Sequence, residues 1–157
     1  MESYTEQEYK VRIFTPVHPR WMITRDMDEV MDIEDESFEY PWDVDDFIES
    51  LRHKNCIGMV ATDNNNDNKV LGFMVYELHK HRIDLLDLAV SPEYWRRGIG
   101  TQMINKLKSK LSGEGMKRLS LVVSERNLRA HLFFRENGFR AVCPIRNYYD
   151  DTLMMLI

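Results

Sequence analysis

Three strand-like runs followed by a glycine-opened helix, all within residues 56–112, constrain this chain most. Runs 56–62, 70–78 and 82–90 are rich in β-branched and apolar residues. The first two are divided by Asp63-Asn64-Asn65-Asn66-Asp67-Asn68, residues that tolerate left-handed backbone and mark a turn. Such short connections predict an antiparallel meander. A loop over residues 91–97 leads to Gly98-Ile99-Gly100, which opens a helix reaching about Ser112. Its Ile99, Met103, Ile104, Leu107 and Leu111 share one face.

The flanks fit around this unit. Residues 1–19 are polar with two prolines and read as an N-terminal arm; residues 20–157 read as one domain. Trp21-Met22-Ile23 is expected to be a short first strand. Thr24 caps an expected helix reaching Phe38, with Met27, Val30, Met31 and Phe38 on one face. Tyr40-Pro41-Trp42 breaks it, because proline lacks an N–H and restricts the residue before it. Asp43 caps a second helix whose Val44, Phe47, Ile48 and Leu51 follow amphipathic spacing. Beyond Gly113 and Gly115, residues 118–123 predict a short buried strand. Asn127 caps a last helix ending at Asn137-Gly138, and residues 139–144 and 152–157 predict two closing strands. The order β-α-α-β-β-β-α-β-α-β-β, without an internal repeat, predicts an α/β (α+β) domain around a mixed sheet.

Charge and composition narrow the function. The formal net charge is −5, which argues against a nucleic-acid binder. No apolar run approaches the roughly 18 residues of a membrane span. No apolar leader precedes the domain, so the expected location is cytoplasmic. Cys56 and Cys143 form neither a disulfide framework nor a metal set, and no metal is expected. The charge is uneven: residues 26–49 hold twelve Asp/Glu and no Lys or Arg, whereas residues 91–157 hold twelve Lys/Arg against six Asp/Glu. The acidic run reads either as the solvated face of two helices or as a field that attracts a cationic ligand.

The segment from Leu86 to Thr101 predicts an anion site. A strand ends, a loop follows, and two glycines open a helix whose first-turn N–H groups lack intrahelical partners. Arg96 and Arg97 add cationic donors. The pattern is neither a Walker loop nor a G-x-G-x-x-G dinucleotide fingerprint, so a phosphate or pyrophosphate is the expected ligand; a plain glycine turn is the alternative.

Ala89-Val90-Ser91-Pro92-Glu93-Tyr94-Trp95-Arg96-Arg97-Gly98-Ile99-Gly100-Thr101 resembles the acetyl-CoA loop of the GNAT acetyltransferases, whose core is Gln/Arg-x-x-Gly-x-Gly/Ala. Asn127-Leu128-Arg129-Ala130 with Phe133-Phe134 and Gly138-Phe139 resembles that superfamily's second signature. Tyr40-Pro41-Trp42 with Phe47, and Arg146-Asn147-Tyr148-Tyr149, resemble pieces of its ribosomal-protein alanine N-acetyltransferase (RimI-like) branch. The resemblance implies a GNAT-type acyl-CoA N-acyltransferase fold, a mixed sheet flanked by helices, and transfer of acetyl from acetyl-CoA to a primary amine by direct attack.

The same resemblance assigns roles. Backbone N–H groups of Arg96, Arg97, Gly98, Ile99, Gly100 and Thr101 would hold the pyrophosphate. A strand amide near Leu88, Ala89 and Val90 would stabilise the thioester oxygen. Asn127 would contact the pantetheine arm, or simply cap its helix; Phe134 would lie beside the cofactor. Tyr40, Trp42, Tyr148 and Tyr149 would border the acceptor, although Tyr40 and Trp42 read equally as a staple between the first two helices.

Two positions depart from the family. Its general-base glutamate aligns with Val122 and its tyrosine donor with Phe134. Asp84, Asp87 and Glu125 are the substitute bases and Tyr148 the substitute donor; Asp84 aligns with the carboxylate base of the histone-type branch. Strand alternation puts Asp84 and Asp87 on opposite faces unless a bulge intervenes. His79 and His81 alternate on a strand, without Cys or carboxylate spacing for a metal. The acceptor is expected to be a peptide or protein N-terminus. The alternatives are a small amine, such as a polyamine or amino sugar, and a catalytically impaired CoA-binding protein; the chain is a monomer or homodimer.

Overall fold

The computed structural model describes residues 13–113, 118–146 and 151–157. One seven-stranded sheet runs in the order β1-β2-β3-β4-β5-β7-β6. Its strands are β1 (Val17–Trp21), β2 (Cys56–Asp63), β3 (Asn66–Leu78), β4 (Arg82–Val90), β5 (Arg118–Ser124), β6 (Arg140–Arg146) and β7 (Asp151–Leu156). Strands β2 to β4 form the expected antiparallel meander, β1 adds an antiparallel edge strand to β2, and β4 pairs in parallel with β5. The helices are α1 (Met27–Ser37), α2 (Val44–Arg52), α3 (Ile99–Gly113) and α4 (Leu128–Glu136). This is the expected mixed sheet flanked by helices.

Each face carries its own core. Ile83 and Leu85 of β4, Leu119 and Leu121 of β5 and Met74 and Tyr76 of β3 pack with Ile99, Met103, Ile104 and Leu107 of α3 and with Phe134. On the other face Phe73 and Val75 of β3, Val60 of β2 and Ala89 of β4 pack with Val30 and Ile33 of α1 and Phe47 of α2. The odd–even alternation of β5 and the helical spacing of α3 put apolar side chains on those surfaces.

The first turn of the fold differs from expectation. The first strand is Val17–Trp21 rather than residues 21–23, and segment 13–16 is attached to the domain ahead of it. The domain therefore starts before residue 20. Pro19 sits in β1 because this is an edge strand, where a missing N–H costs no ladder bond. Thr24 is not a cap: a 3-10 turn, Thr24–Asp26, precedes α1. Asp26 accepts the Ile23 N–H at 2.8 Å and takes both arms of Arg20 at 2.8 Å. Asp43 does cap α2, in a reciprocal box with Asp46. Val44 and Ile48, expected on the inner face of α2, are partly exposed, while Phe47 is fully buried.

A fork opens in the middle of the sheet. β4 stays paired to β3 as far as Val90, but its pairing with β5 stops at Leu85↔Leu121. The β3–β4 register runs Tyr76↔Leu85 and then Val75↔Asp87, which leaves Leu86 as an extra residue. This is a β-bulge, and it turns over the faces of everything after it. Leu88 and Val90 therefore face α3, whereas Ala89 joins the α1–α2 core.

Candidate active site

The N-terminus of α3 lies directly beyond the end of β4. Residues 92–94 make a 3-10 turn, and Arg96 and Gly98 then take left-handed backbone, at φ 62° and 78°. Alternating hands of this kind point successive amides into one concavity, a nest suited to anions. The first bond of α3 runs from the Gln102 N–H to the Gly98 carbonyl at 3.1 Å. The amides of Ile99, Gly100 and Thr101 thus lie in the turn that has no intrahelical acceptor, at the positive end of the helix.

The two glycines have separate reasons. Gly98 needs its left-handed conformation, and a Cβ there would stand 2.9 Å from the Phe14 ring. A Cβ on Gly100 would stand 2.8 Å from Phe133, so α3 approaches α4 closely there. Ile99 is buried and offers only its amide; Arg96 and Thr101 are exposed. Arg97 lies over the Tyr94 ring, 4.8 Å from its centroid. These features fit a pyrophosphate held by backbone donors.

Five residues that support this loop were not singled out in the sequence. Trp95 occupies the first position of the Gln/Arg-x-x-Gly-x-Gly/Ala pattern, and its Nε1–H donates to the Val90 carbonyl at 2.7 Å. Arg129 of α4 stacks on the same indole at 4.4 Å. Gln102 donates to the carbonyls of Thr15 and Gly98 at 2.8 and 3.2 Å and accepts the Val17 N–H at 3.0 Å. Phe14 covers Gly98, and the Thr15 N–H meets the Arg97 carbonyl at 2.9 Å. A tryptophan after Ser-Pro-Glu-Tyr and a glutamine one turn into a glycine-opened helix were the available signals.

The fork frames the rest. Among the described residues no strand pairs with β4 on its β5 side beyond Leu85. Leu88, Ala89 and Val90 line that edge, with Ala89 buried. Asn127 caps α4, accepting the Ala130 N–H at 3.1 Å. Phe134 is buried edge-on between Phe133 and Phe139, at 5.1 and 5.3 Å, as part of the core.

The bulge settles the geometry of the two strand aspartates. Asp84 opposes Glu77 and Asp87 opposes Val75, two positions on one face of β3. Asp84 and Asp87 therefore share the α1–α2 face, against the simple alternation expected from sequence. Their surroundings differ sharply. Asp84 is half-buried: the Ser120 hydroxyl donates to its Oδ1, the Arg82 Nε–H donates to its Oδ2 at 3.1 Å, and His79 Nε2 lies 3.1 Å away. Its neighbour on the open face is Val122, two residues beyond Ser120 on β5 and 55% exposed.

Asp87 is only 7% exposed and faces Glu34 of α1, 2% exposed. Burial and then the Glu34 charge push the Asp87 carboxyl up to about 9. A carboxyl in that state is protonated at neutral pH and takes no proton from an amine. Glu34 went unremarked inside an acidic run, although it falls at i+4 from the buried Val30 on α1. Glu125 is exposed and lines an open groove of about 460 Å³ with Leu128, His131 and Arg135 of α4 and Arg140 of β6.

Trp42 lies edge-on to Phe47 at 5.1 Å, and its N–H donates to Glu34 Oε1 at 2.9 Å, so it does staple α1 to α2. Tyr40 is 81% exposed. Tyr148 and Tyr149 lie outside the described residues. Glu77, His79 and Asp84 bring three ligand-type atoms within 4.8 Å of one another, carboxylates that cross-strand pairing supplies and linear spacing hides. Arg82 occupies the same Asp84 oxygen as a cation. The Cys56 thiol is buried and pushed up to about 11 by desolvation, then by Glu77, which leaves it inert. No helix among the described residues is long and apolar enough to cross a membrane.

The family model for the acetyltransferase (GNAT) family matches residues 27–139. The chain belongs to that family. It is 27% identical over 129 residues to an Escherichia coli protein named ribosomal protein bS18-alanine N-acetyltransferase, covering 82% of this chain and 84% of that one. The crystal structure of the ribosomal-protein-S18-alanine N-acetyltransferase from Escherichia coli superposes with a TM-score of 0.78 at 24% identity, covering 90% and 93% of the two chains. Arabidopsis thaliana Naa50, solved with the bisubstrate analogue CoA-Ac-MVNAL, gives 0.74 at 18% identity, covering 90% and 97%.

Proposed function

We propose that this GNAT-family N-acetyltransferase moves acetyl from acetyl-CoA to the α-amine of a protein or peptide N-terminus. The observation that carries the reading is the β4–β5 fork, with a glycine-shaped helix start at its mouth and a half-buried carboxylate, Asp84, one position before the last β4–β5 pair. The acetyl-CoA would bring the activated thioester. The amides of Arg96 to Thr101 hold its pyrophosphate, and an amide of the Leu88, Ala89 and Val90 edge, where the Leu88 N–H is engaged by Asp87, donates to the thioester oxygen as charge builds on it. Asn127, the cap of α4, flanks the pantetheine arm, and Phe134, further along α4, backs it from the core.

The acceptor reacts only as a neutral amine, so a base must take its proton. Asp84 fills that role better than Asp87, which is buried and already protonated, or Glu125, which lines the α4 groove. Arg82 and Ser120 hold the Asp84 carboxylate in place. With Phe134 lacking a hydroxyl, the thiolate leaves unaided or with a proton from Tyr148; a thiol of pKa about 8.5 is a tolerable leaving group near neutral pH. Tyr40 and Trp42 and, by the family resemblance, Tyr148 and Tyr149 would border the acceptor, and the relatives' printed substrates support a protein N-terminus.

Val122 and Phe134 favour a second reading, a small-amine acetyltransferase or a CoA binder without turnover. One assay separates them: thiol release from acetyl-CoA with peptides starting in Ala or Ser and with a polyamine and amino-sugar panel. Turnover with peptides is expected. Turnover with small amines alone, or acetyl-CoA binding without turnover, rejects the proposal.

A further inference from the structure

Two buried carboxyl groups meet where α1 crosses the bulged part of β4. Glu34 Oε1 accepts the Trp42 N–H at 2.9 Å, and Asp87 accepts the Leu88 N–H. The other oxygens, Glu34 Oε2 and Asp87 Oδ2, are buried and, among the described residues, receive no N–H or O–H. Unpaired buried oxygens are costly, and two of them between adjoining carboxyls call for one proton. Desolvation raises both groups above their ordinary values. Each carboxyl then stabilises a single proton held between the pair, with Asp87 the more strongly raised by burial and the Glu34 charge.

Among the described residues the surroundings offer no alternative partner. Val30 and Ile33 of α1, Phe47 of α2, Phe73 and Val75 of β3 and Ala89 of β4 form the apolar cluster at this crossing. Asp35 of α1 is the one other acid acting on Glu34, and it is exposed. Among the described residues no Lys, Arg or His pairs with either carboxyl.

We infer that the proton shared by Glu34 and Asp87 positions the acceptor site: it locks α1 to β4 just past Leu86 and, through the Glu34–Trp42 bond, fixes the Tyr40–Trp42 loop. Glu34 and Asp87 are thus positioning residues for the amine acceptor, a role that rests on the placement of that loop in the preceding subsection. Base removes the proton from Asp87 as water and leaves two negative charges in an apolar crossing. Their repulsion loosens α1 and the loop, so acceptor KM rises while kcat and the acetyl-CoA KM hold.

The test follows the full-length chain from pH 7 to 10 with two readouts: acceptor KM and kcat, and the ¹⁵N shift of the Trp42 backbone amide. Asp87→Asn keeps a donor to Glu34 without titrating; Asp87→Ala leaves Glu34 bare. Titration of the acceptor amine is common to all variants and cancels in the comparison. In the native chain the Trp42 amide should shift in one step near pH 9, with acceptor KM rising at least fivefold in parallel. Asp87→Asn should abolish both changes, and Asp87→Ala should raise acceptor KM about tenfold at pH 7 with kcat within threefold. A Trp42 amide that titrates identically in native and Asp87→Asn chains overturns the shared proton. A Trp42 step that Asp87→Asn removes, with acceptor KM unmoved, overturns the acceptor role of the loop instead. In that case the proton pair stands and the positioning role falls.

Discussion

Asp87→Asn should stabilise this protein, and by more as the pH rises. In the unfolded chain Asp87 ionises near its ordinary value of 3.8, whereas in the fold its carboxyl keeps a proton up to about 9. Between those limits the folded state binds more protons than the unfolded one, so stability falls with rising pH. The slope is about 1.4 kcal/mol per pH unit for one group. From 3.8 to pH 7 the accumulated cost is at most ~4 kcal/mol, and relaxation around a buried pair reduces it to ~2 kcal/mol. Asparagine takes up no proton; its amide donates to Glu34 and its oxygen accepts the Leu88 N–H. The variant should therefore gain ~2 kcal/mol at pH 7, roughly 5 °C in Tm for a domain of this size, and less at pH 5. Urea melts of both chains at pH 5, 7 and 8.5 measure it. A difference that stays constant with pH, or a variant weaker than the native chain at pH 8.5, refutes the reasoning.

Three further outcomes are expected. Asp84→Asn should cut turnover at least tenfold without lowering acetyl-CoA affinity, measured by thiol release and calorimetry; near-native turnover would remove Asp84 as the base. Gly98→Ala should raise the acetyl-CoA KM at least fivefold, since left-handed strain of about 1 kcal/mol adds to the contact with Phe14; an unchanged KM would show that the loop conformation is irrelevant to binding. Raising salt from 50 to 500 mM should increase the KM for a cationic acceptor but not for a neutral one, because surface attraction is screened. Asp28, Asp32, Asp35, Glu36, Glu39, Asp45 and Glu49 remain exposed for that field, whereas Asp26, Glu29, Glu34, Asp43 and Asp46 carry structural bonds.

Legibility in the sequence followed how local the cause was. The meander, α3 and the cap at Asn127 announce themselves through alternation, Asn/Asp turns and glycine, all short-range signals. The first strand was misplaced because Val17-His18-Pro19-Arg20-Trp21 has no clean alternation and its edge position admits a proline. Leu86 is invisible as a bulge: Leu85-Leu86-Asp87 reads as an unbroken strand until the β3 register is known. The same holds for Glu34, whose partner is 53 positions away on another element. Trp95 acts through the Val90 carbonyl at the end of β4 and Gln102 through the Thr15 carbonyl on a distant segment, which residue type alone does not reveal.

Segment 13–16 rests on the loop that holds the proposed pyrophosphate, through Phe14 over Gly98 and Thr15 on Arg97. Occupancy at one end is thereby linked to the fate of the other. Any ligand that stiffens the Arg96–Gly98 turn should withdraw the peptide bonds around Phe14 from a protease, and cleavage there should free the loop in return. A bulky fusion placed immediately ahead of Ile13 would act on cofactor affinity from outside the cleft.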